Sequence, residues 1–485
     1  MLINKLTTAF GDHSSLLPLF AKDVVNSAGM TAFSYDAGGK IEAKDRCLDE
    51  FGTMGLWMGG LPIFKGIYNL TAYKLAKINP DVDYRLLKDS AQLSVAQKYA
   101  QSLTDRTDIA QSIAKAASNT AKTKALFLGK FASATALTLA SFFTLVKVKQ
   151  HYTKKEIEKQ FWAKKSAQMQ YVNSFAQSPA FKAFLPENKS DSAPMHNKNV
   201  SFKGLGSMAA KLKDVMFDPV QNLFLVDVGI SGERLVNSRT KTEFAETAIK
   251  EGSLLFFLYV AGRYVQNGIE KFSEKLGKPI GLHAEVLSSD YMDAAIKSGN
   301  VNNDVNALKP LIDSVNKAQK AFNTNKSQAN KTALEESKKA LFEFIYNEKN
   351  QDNTVIKAAK QSKIIKTIVD GSKIDKLLNR AKNTNLIDPM QFIKIGDIED
   401  VTNNVSKLAK FAAKHDNITE FLKKCRNMKI ASVAANMGIS CLCLGLIVPY
   451  AMMKYRETHQ NGKKEFHVQS EIERQLEQSF KGRVA

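Results

Sequence analysis

Residues 430–453, IASVAANMGISCLCLGLIVPYAMM, carry no formal charge and lie between Lys429 and Lys454. A helix of about 20 apolar residues spans the hydrocarbon core of a bilayer, so this run is long enough to cross. Its one side-chain amide is Asn436. The fold must accommodate this segment either in lipid or in a core large enough to hide it. The mean hydropathy of the whole chain is only −0.25. Any membrane part is therefore a minority of the 485 residues, with large water-facing segments around it.

Three further apolar runs follow the same logic with less force. Residues 125–148 are uncharged from Phe131 to Val146, and Lys130 and Lys147 can snorkel from the ends. Residues 51–73 are glycine-rich, hold Lys65 as their one charge, and carry Pro62 mid-run, where it is expected to kink or break a helix. The weakest run, 252–265, is uncharged only as far as Gly262 and then meets Arg263. This predicts two to four membrane spans. Lys65 and Arg263 are intramembrane charges if these two runs insert, and otherwise mark where each helix leaves the lipid. Small residues at four-residue spacing let membrane helices approach closely. Gly55 with Gly59, Ala132 with Ala136 and Ala140, and Ala434 with Gly438 are the candidate packing rows.

The chain also resembles itself. Leu19-Phe20-x-x-Asp23-Val24-x-x-Ser27 recurs as Leu223-Phe224-x-x-Asp227-Val228-x-x-Ser231. A charged segment follows each copy (40–50 and 241–251), then a glycine, Gly52 or Gly252, opening an apolar run. The runs close on Lys74-Leu-Ala-Lys77 and Lys275-Leu-Gly-Lys278, with Pro80 and Pro279 beyond. Later, 131–146 and 430–453 correspond, each followed by Lys-Lys-Glu. Order and character agree over about 16–165 and 218–475, which argues for a duplicated unit.

The predicted organisation is an N-terminal helical segment (1–50), a first repeat (51–165) and a linker rich in proline, asparagine and serine (166–217). The second repeat opens at 218–289 and closes at 428–475, and 476–485 form a tail. Between its halves sits an insertion, 290–427, whose apolar residues recur at helical spacing and read as a basic, soluble helical lobe. Strand signals are thin, so the fold class is all-α.

The formal charge of +21 calls for an anionic partner. The lysines are spread over many helical segments rather than gathered in a patch with interleaved aromatics. That suits an anionic lipid surface and makes nucleic acid a poor fit. The small-residue faces add the option of a homo-oligomer or a protein partner. Four cysteines and seven scattered histidines give neither a disulfide framework nor metal-ligand spacing. No catalytic frame or cofactor fingerprint is present, so no enzyme is expected, and no cofactor.

If the copies pack about a pseudo-two-fold axis, Asp23, Ser27, Asp227 and Ser231 form a polar site at the repeat interface, as in many transporters. The plainer reading of the same motif is a repeated cap or turn. The N-terminus lacks the apolar stretch of a cleavable signal peptide. The expected location is a membrane, the plasma or inner membrane in a bacterium, with both termini cytoplasmic. The expected role is a non-enzymatic membrane scaffold or assembly component. A small transporter or pore, and a soluble or peripheral helical protein, are the alternatives.

Overall fold

A computed structural model describes residues 2–11, 15–176, 217–238, 240–369, 383–459 and 467–484. Of the expected linker, 177–216 lie outside the described residues, while 166–176 continue the preceding helix. The described chain is helical apart from one antiparallel ribbon, Thr367–Val369 with Asn383–Ile387. The principal helices are α1 (Leu2–Gly11), α2 (Leu17–Tyr68), α3 (Ser90–Ser102), α4 (Thr107–Ser118), α5 (Thr120–Ala176), α6 (Pro219–Val236) and α7 (Lys241–Leu255). They continue as α8 (Gly262–Lys275), α9 (Asn300–Thr324), α10 (Gln328–Tyr346), α11 (Ile395–Ala412), α12 (Ile418–Leu442), α13 (Val448–His459) and α14 (His467–Val484).

α2 does not break at Pro62, where the sequence predicts a kink; the helix runs through it to Tyr68. The interruption is at Gly39, whose φ of 71° and ψ of −160° only glycine adopts without strain. Met30, before this turn, packs against Ile249 of α7, and Glu50, after it, binds Lys250 of the same helix. The two arms of α2 therefore double back beside one turn of α7. α6 and α7 form a similar pair across a short link, where the Thr240 side chain caps α7 by accepting from the Glu243 amide. Three of the apolar runs contain a π-helical segment: Asn69–Tyr73, Phe256–Ala261 and Cys443–Ile447. Such bulges release backbone carbonyls from the helical ladder and recur at functional sites.

The chain divides into two compact units. One comprises Met1–His13, Pro62–Thr135 and Gly262–Gly438. Its core joins Leu86, Tyr99 and Ile113 to Leu308, Phe342, Tyr346, Val405 and Phe421, all buried. Residues of the expected 290–427 insertion thus share one core with α3 and α4. Tyr99 packs on Tyr346 at a ring distance of 5.1 Å, and its hydroxyl oxygen accepts from the Ile387 amide at 3.3 Å. Lys338 of α10 pairs with Asp89, the N-cap of α3, at 2.9 Å.

The other unit comprises Ser14–Leu61, Ala136–Ala261 and Ile439–Ala485. Here α2 crosses the π segment after α12 at its two glycines. A Cβ on Gly29 would fall on the Gly445 carbonyl, and one on Gly445 would meet the Val25 side chain. Gly229 of α6 similarly faces Leu139 of α5. The rows singled out for packing behave differently. Ala132, Ala136, Ala140, Ala434, Gly438 and Gly55 are exposed and Gly59 is half-buried. No heavy atom would meet a Cβ on Gly55 or Gly438. On α5 the buried line is Ala134, Thr138, Phe142 and Val146, and the alanines lie off it.

Two helical stretches are long and apolar enough to cross a membrane, Thr120–Gln168 and Ile418–His459. Only 22% of each apolar window is buried, whereas a core helix of a soluble protein is mostly buried.

Because the α2 crossing brings backbone against backbone, Gly29→Leu is expected to force the helices apart. It should cost about 1–3 kcal/mol or more. Thermal unfolding of the detergent-purified variant beside Gly55→Leu, which meets open space, checks this: only the first should fall.

Candidate functional site

Five helices of the second unit bring charged side chains together. The second arm of α2 presents Glu42, Arg46, Asp49 and Glu50, residues that share one helical face. α7 contributes Glu246, Lys250 and Glu251, α6 contributes Arg234, α5 contributes Lys149, and α13 adds Arg456. All ten are buried or nearly so. The Arg456 guanidinium, with no exposed surface, donates from Nη1 and Nη2 to Glu42 at 2.8 and 2.7 Å. It donates from Nε and Nη2 to Glu246 at 2.7 and 2.8 Å. Lys250 pairs with Glu50 at 2.6 Å and Glu251 at 2.9 Å. Arg234 pairs with Glu251 at 2.6 Å and donates to Thr53 Oγ1 at 2.6 Å. Asp49 lies 3.4 Å from both Arg234 and Lys149, and Arg46 lies 3.6 Å from Glu246. One base thus answers each acid, the condition under which charges survive burial.

The carboxyls respond to these neighbours. Burial pushes the Glu42 carboxyl up, against the pull of Arg456. Burial would also raise Asp49, but Arg234, Lys149 and Lys250 outweigh it and hold that carboxyl well below the usual range. For Glu251 burial is again overcome, by Arg234 and Lys250, which hold it at about 2.

The repeated motif lies beside this network. Asp23 and Asp227 are mid-helix and cap nothing; Asp218 caps α6. The two carboxylates lie within each other's electrostatic reach. Asp227 accepts from the Tyr259 hydroxyl, with the Trp57 indole beside it. Ser231 donates to Glu251 Oε2 at 2.8 Å, whereas the buried Ser27 hydroxyl has no hydrogen-bond partner. Lys65 is half-buried and Arg263 is exposed, each in the other unit.

The network itself is not legible as a site in the sequence, where 40–50 and 241–251 read only as charged helices. Its signal is the i, i+4 pairing of opposite signs, Glu42 with Arg46 and Glu246 with Lys250. Lys22 is the other residue missed. It is buried, and its ammonium donates to the Phe257 carbonyl at 3.4 Å, within the π segment.

Among the described residues no group of three or more histidine, cysteine, aspartate or glutamate side chains could hold a metal ion. Compared with known proteins, the chain matches no family model, no curated protein and no solved structure.

Two predictions follow the charge arrangement. Arg456→Met leaves Glu42 buried without an ion-pair partner and Glu246 with only Arg46 at 3.6 Å, and should cost about 3–5 kcal/mol. Adding Glu42→Gln and Glu246→Gln should restore much of that, as read by thermal unfolding. Glu251 has a folded pKa below its ordinary 4.5. Its contribution to stability is complete above about pH 4.5 and is lost as pH falls toward 2. Glu251→Gln should therefore flatten the acid limb of a stability–pH curve relative to the wild type.

Proposed function

We propose that the chain is an integral membrane protein with a non-enzymatic role, a helical scaffold or assembly component seated in anionic lipid. The observation that carries this reading is the pair of long apolar helices left largely uncovered. Leu137, Phe143, Ile439, Leu442, Leu446 and Tyr450 are all exposed on them. Lipid is the solvent that makes such a surface inexpensive. The unit built around α3, α4 and α9–α11 has its own apolar core, which gives the scaffold a water-facing body. Dispersed lysines at the helix ends suit anionic headgroups, each adding about 1 kcal/mol near the surface.

In this reading the protein is two divergent copies of one unit. The bend at Gly39 and the α6–α7 link occupy the same place in each copy, and each first apolar run holds a π segment, Asn69–Tyr73 near the end of one and Phe256–Ala261 near the start of the other. Segments 51–73 and 252–265 then join the two long helices as a third and fourth crossing. The exposed rows at Ala132, Ala136, Ala140, Ala434 and Gly438 are available to a second copy or a partner helix. A transporter-like reading is favoured by one observation, the mutual proximity of the buried Asp23 and Asp227.

Topology is tested by single cysteines at Ser102, Asn330 and Ser479 in a background whose four native cysteines are serine. With membrane-impermeant labelling of intact cells, Ser102→Cys and Asn330→Cys should react from one side and Ser479→Cys from the other. Labelling of all three from one side, or release of the protein by alkali, overturns the reading.

A further inference from the structure

The charge count around Asp23 is incomplete. Lys250 and Arg234, the bases nearest to it, are committed to Glu50 and Glu251 at 2.6–2.9 Å. Asp23 itself has no ion pair and no hydrogen bond among the described residues, although only 8% of it is exposed. Asp227 is held by a neutral hydroxyl rather than a base. Lys22 is the one further cation on this stretch, and it is spent on the Phe257 carbonyl. Neither of the two buried carboxylates therefore has a base of its own among the described residues.

The next turn of α2 supplies the rest of a site. Asn26 and Ser27 share the buried stripe of Asp23 and are completely buried. Neither the amide oxygen and nitrogen of Asn26 nor the hydroxyl of Ser27 has a hydrogen-bond partner. Orphaned polar atoms at such depth are costly unless something fills them. Here a carboxylate, an amide oxygen and a hydroxyl oxygen at i, i+3 and i+4 lie on one face. Hard oxygen donors around a carboxylate that has no base of its own fit a small monovalent cation.

We propose that Asp23, Asn26 and Ser27, with Asp227 beside them, form a binding site for a small monovalent cation, either sodium or a proton. The charged groups facing Asp23 are Glu50 on the second arm of α2, Arg234 and Asp227 on α6, and Lys250 and Glu251 on α7. Occupation neutralises the carboxylate and satisfies the orphaned oxygens of the same turn. The site does not depend on the scaffold reading or on the number of crossings, because binding is read in detergent.

The experiment measures the thermal midpoint of the full chain in sodium against choline chloride, and at about pH 6 and 8, for wild type, Asp23→Asn and Ser27→Ala. A sodium site raises the wild-type midpoint by about 4 °C over choline, with the shift lost in Asp23→Asn and reduced in Ser27→Ala. A proton site gives no sodium effect but a pH-dependent midpoint that Asp23→Asn flattens and Ser27→Ala displaces. Identical sodium and pH responses in wild type and Asp23→Asn overturn the proposal. If Asp23→Asn does not fold, an unchanged response in Ser27→Ala overturns it.

Discussion

A guanidinium with no access to water, clasped by two carboxylates from separate helices, is the fixed point of the second unit. Arg456 ties α13 to the second arm of α2 through Glu42 and to α7 through Glu246. None of the three can move alone without exposing a bare charge to a medium that cannot solvate it. Apolar contacts there, such as Met30 with Val448 and Met452, set how closely the helices pack but not their register. Fork-shaped donors facing two carboxylates set the register as well. The remaining pairs, Lys250 with Glu50 and Arg234 with Glu251, extend the same constraint to α6.

The sequence discloses long apolar helices more readily than it discloses this network. The run 430–453 announces itself because twenty-odd apolar residues have few alternatives, and the all-α class follows from periodicity repeated over many segments. Gly39 is legible as a turn because Gly38-Gly39 has the composition of one. By contrast, Pro62 promises an interruption that the helix does not make, since a proline costs one ladder bond and its neighbours keep their own. The alanine rows promise packing on spacing alone, and spacing does not say which face of α5 turns inward; Ala134 and Thr138 do. The charged groups on α6 and α7 that face Asp23 lie some two hundred positions away, beyond the reach of any local pattern.

The same distinction separates the two kinds of polar residue in the bundle. In the Arg456 network every charge is matched, which is the mark of a structural role. On the first arm of α2, Asp23, Asn26 and Ser27 are buried and unmatched, which a purely structural role does not require. The π segments sharpen the contrast: the Phe257 carbonyl engages Lys22, so a backbone irregularity in one element is matched to a buried cation in another.

The core that joins α3 to α10 has a consequence for how the chain comes into being. Tyr99 finds Tyr346, and Asp89 finds Lys338, only after most of the protein has left the ribosome. Until then the apolar side of α3, with Val95 and Ala96, has only its sequence neighbours, such as Leu86, Ile109 and Ile113, for cover. Long closures of this kind are slow and leave unburied surface in the interval. A nascent chain halted before residue 328 therefore carries α3 with part of its apolar face uncovered.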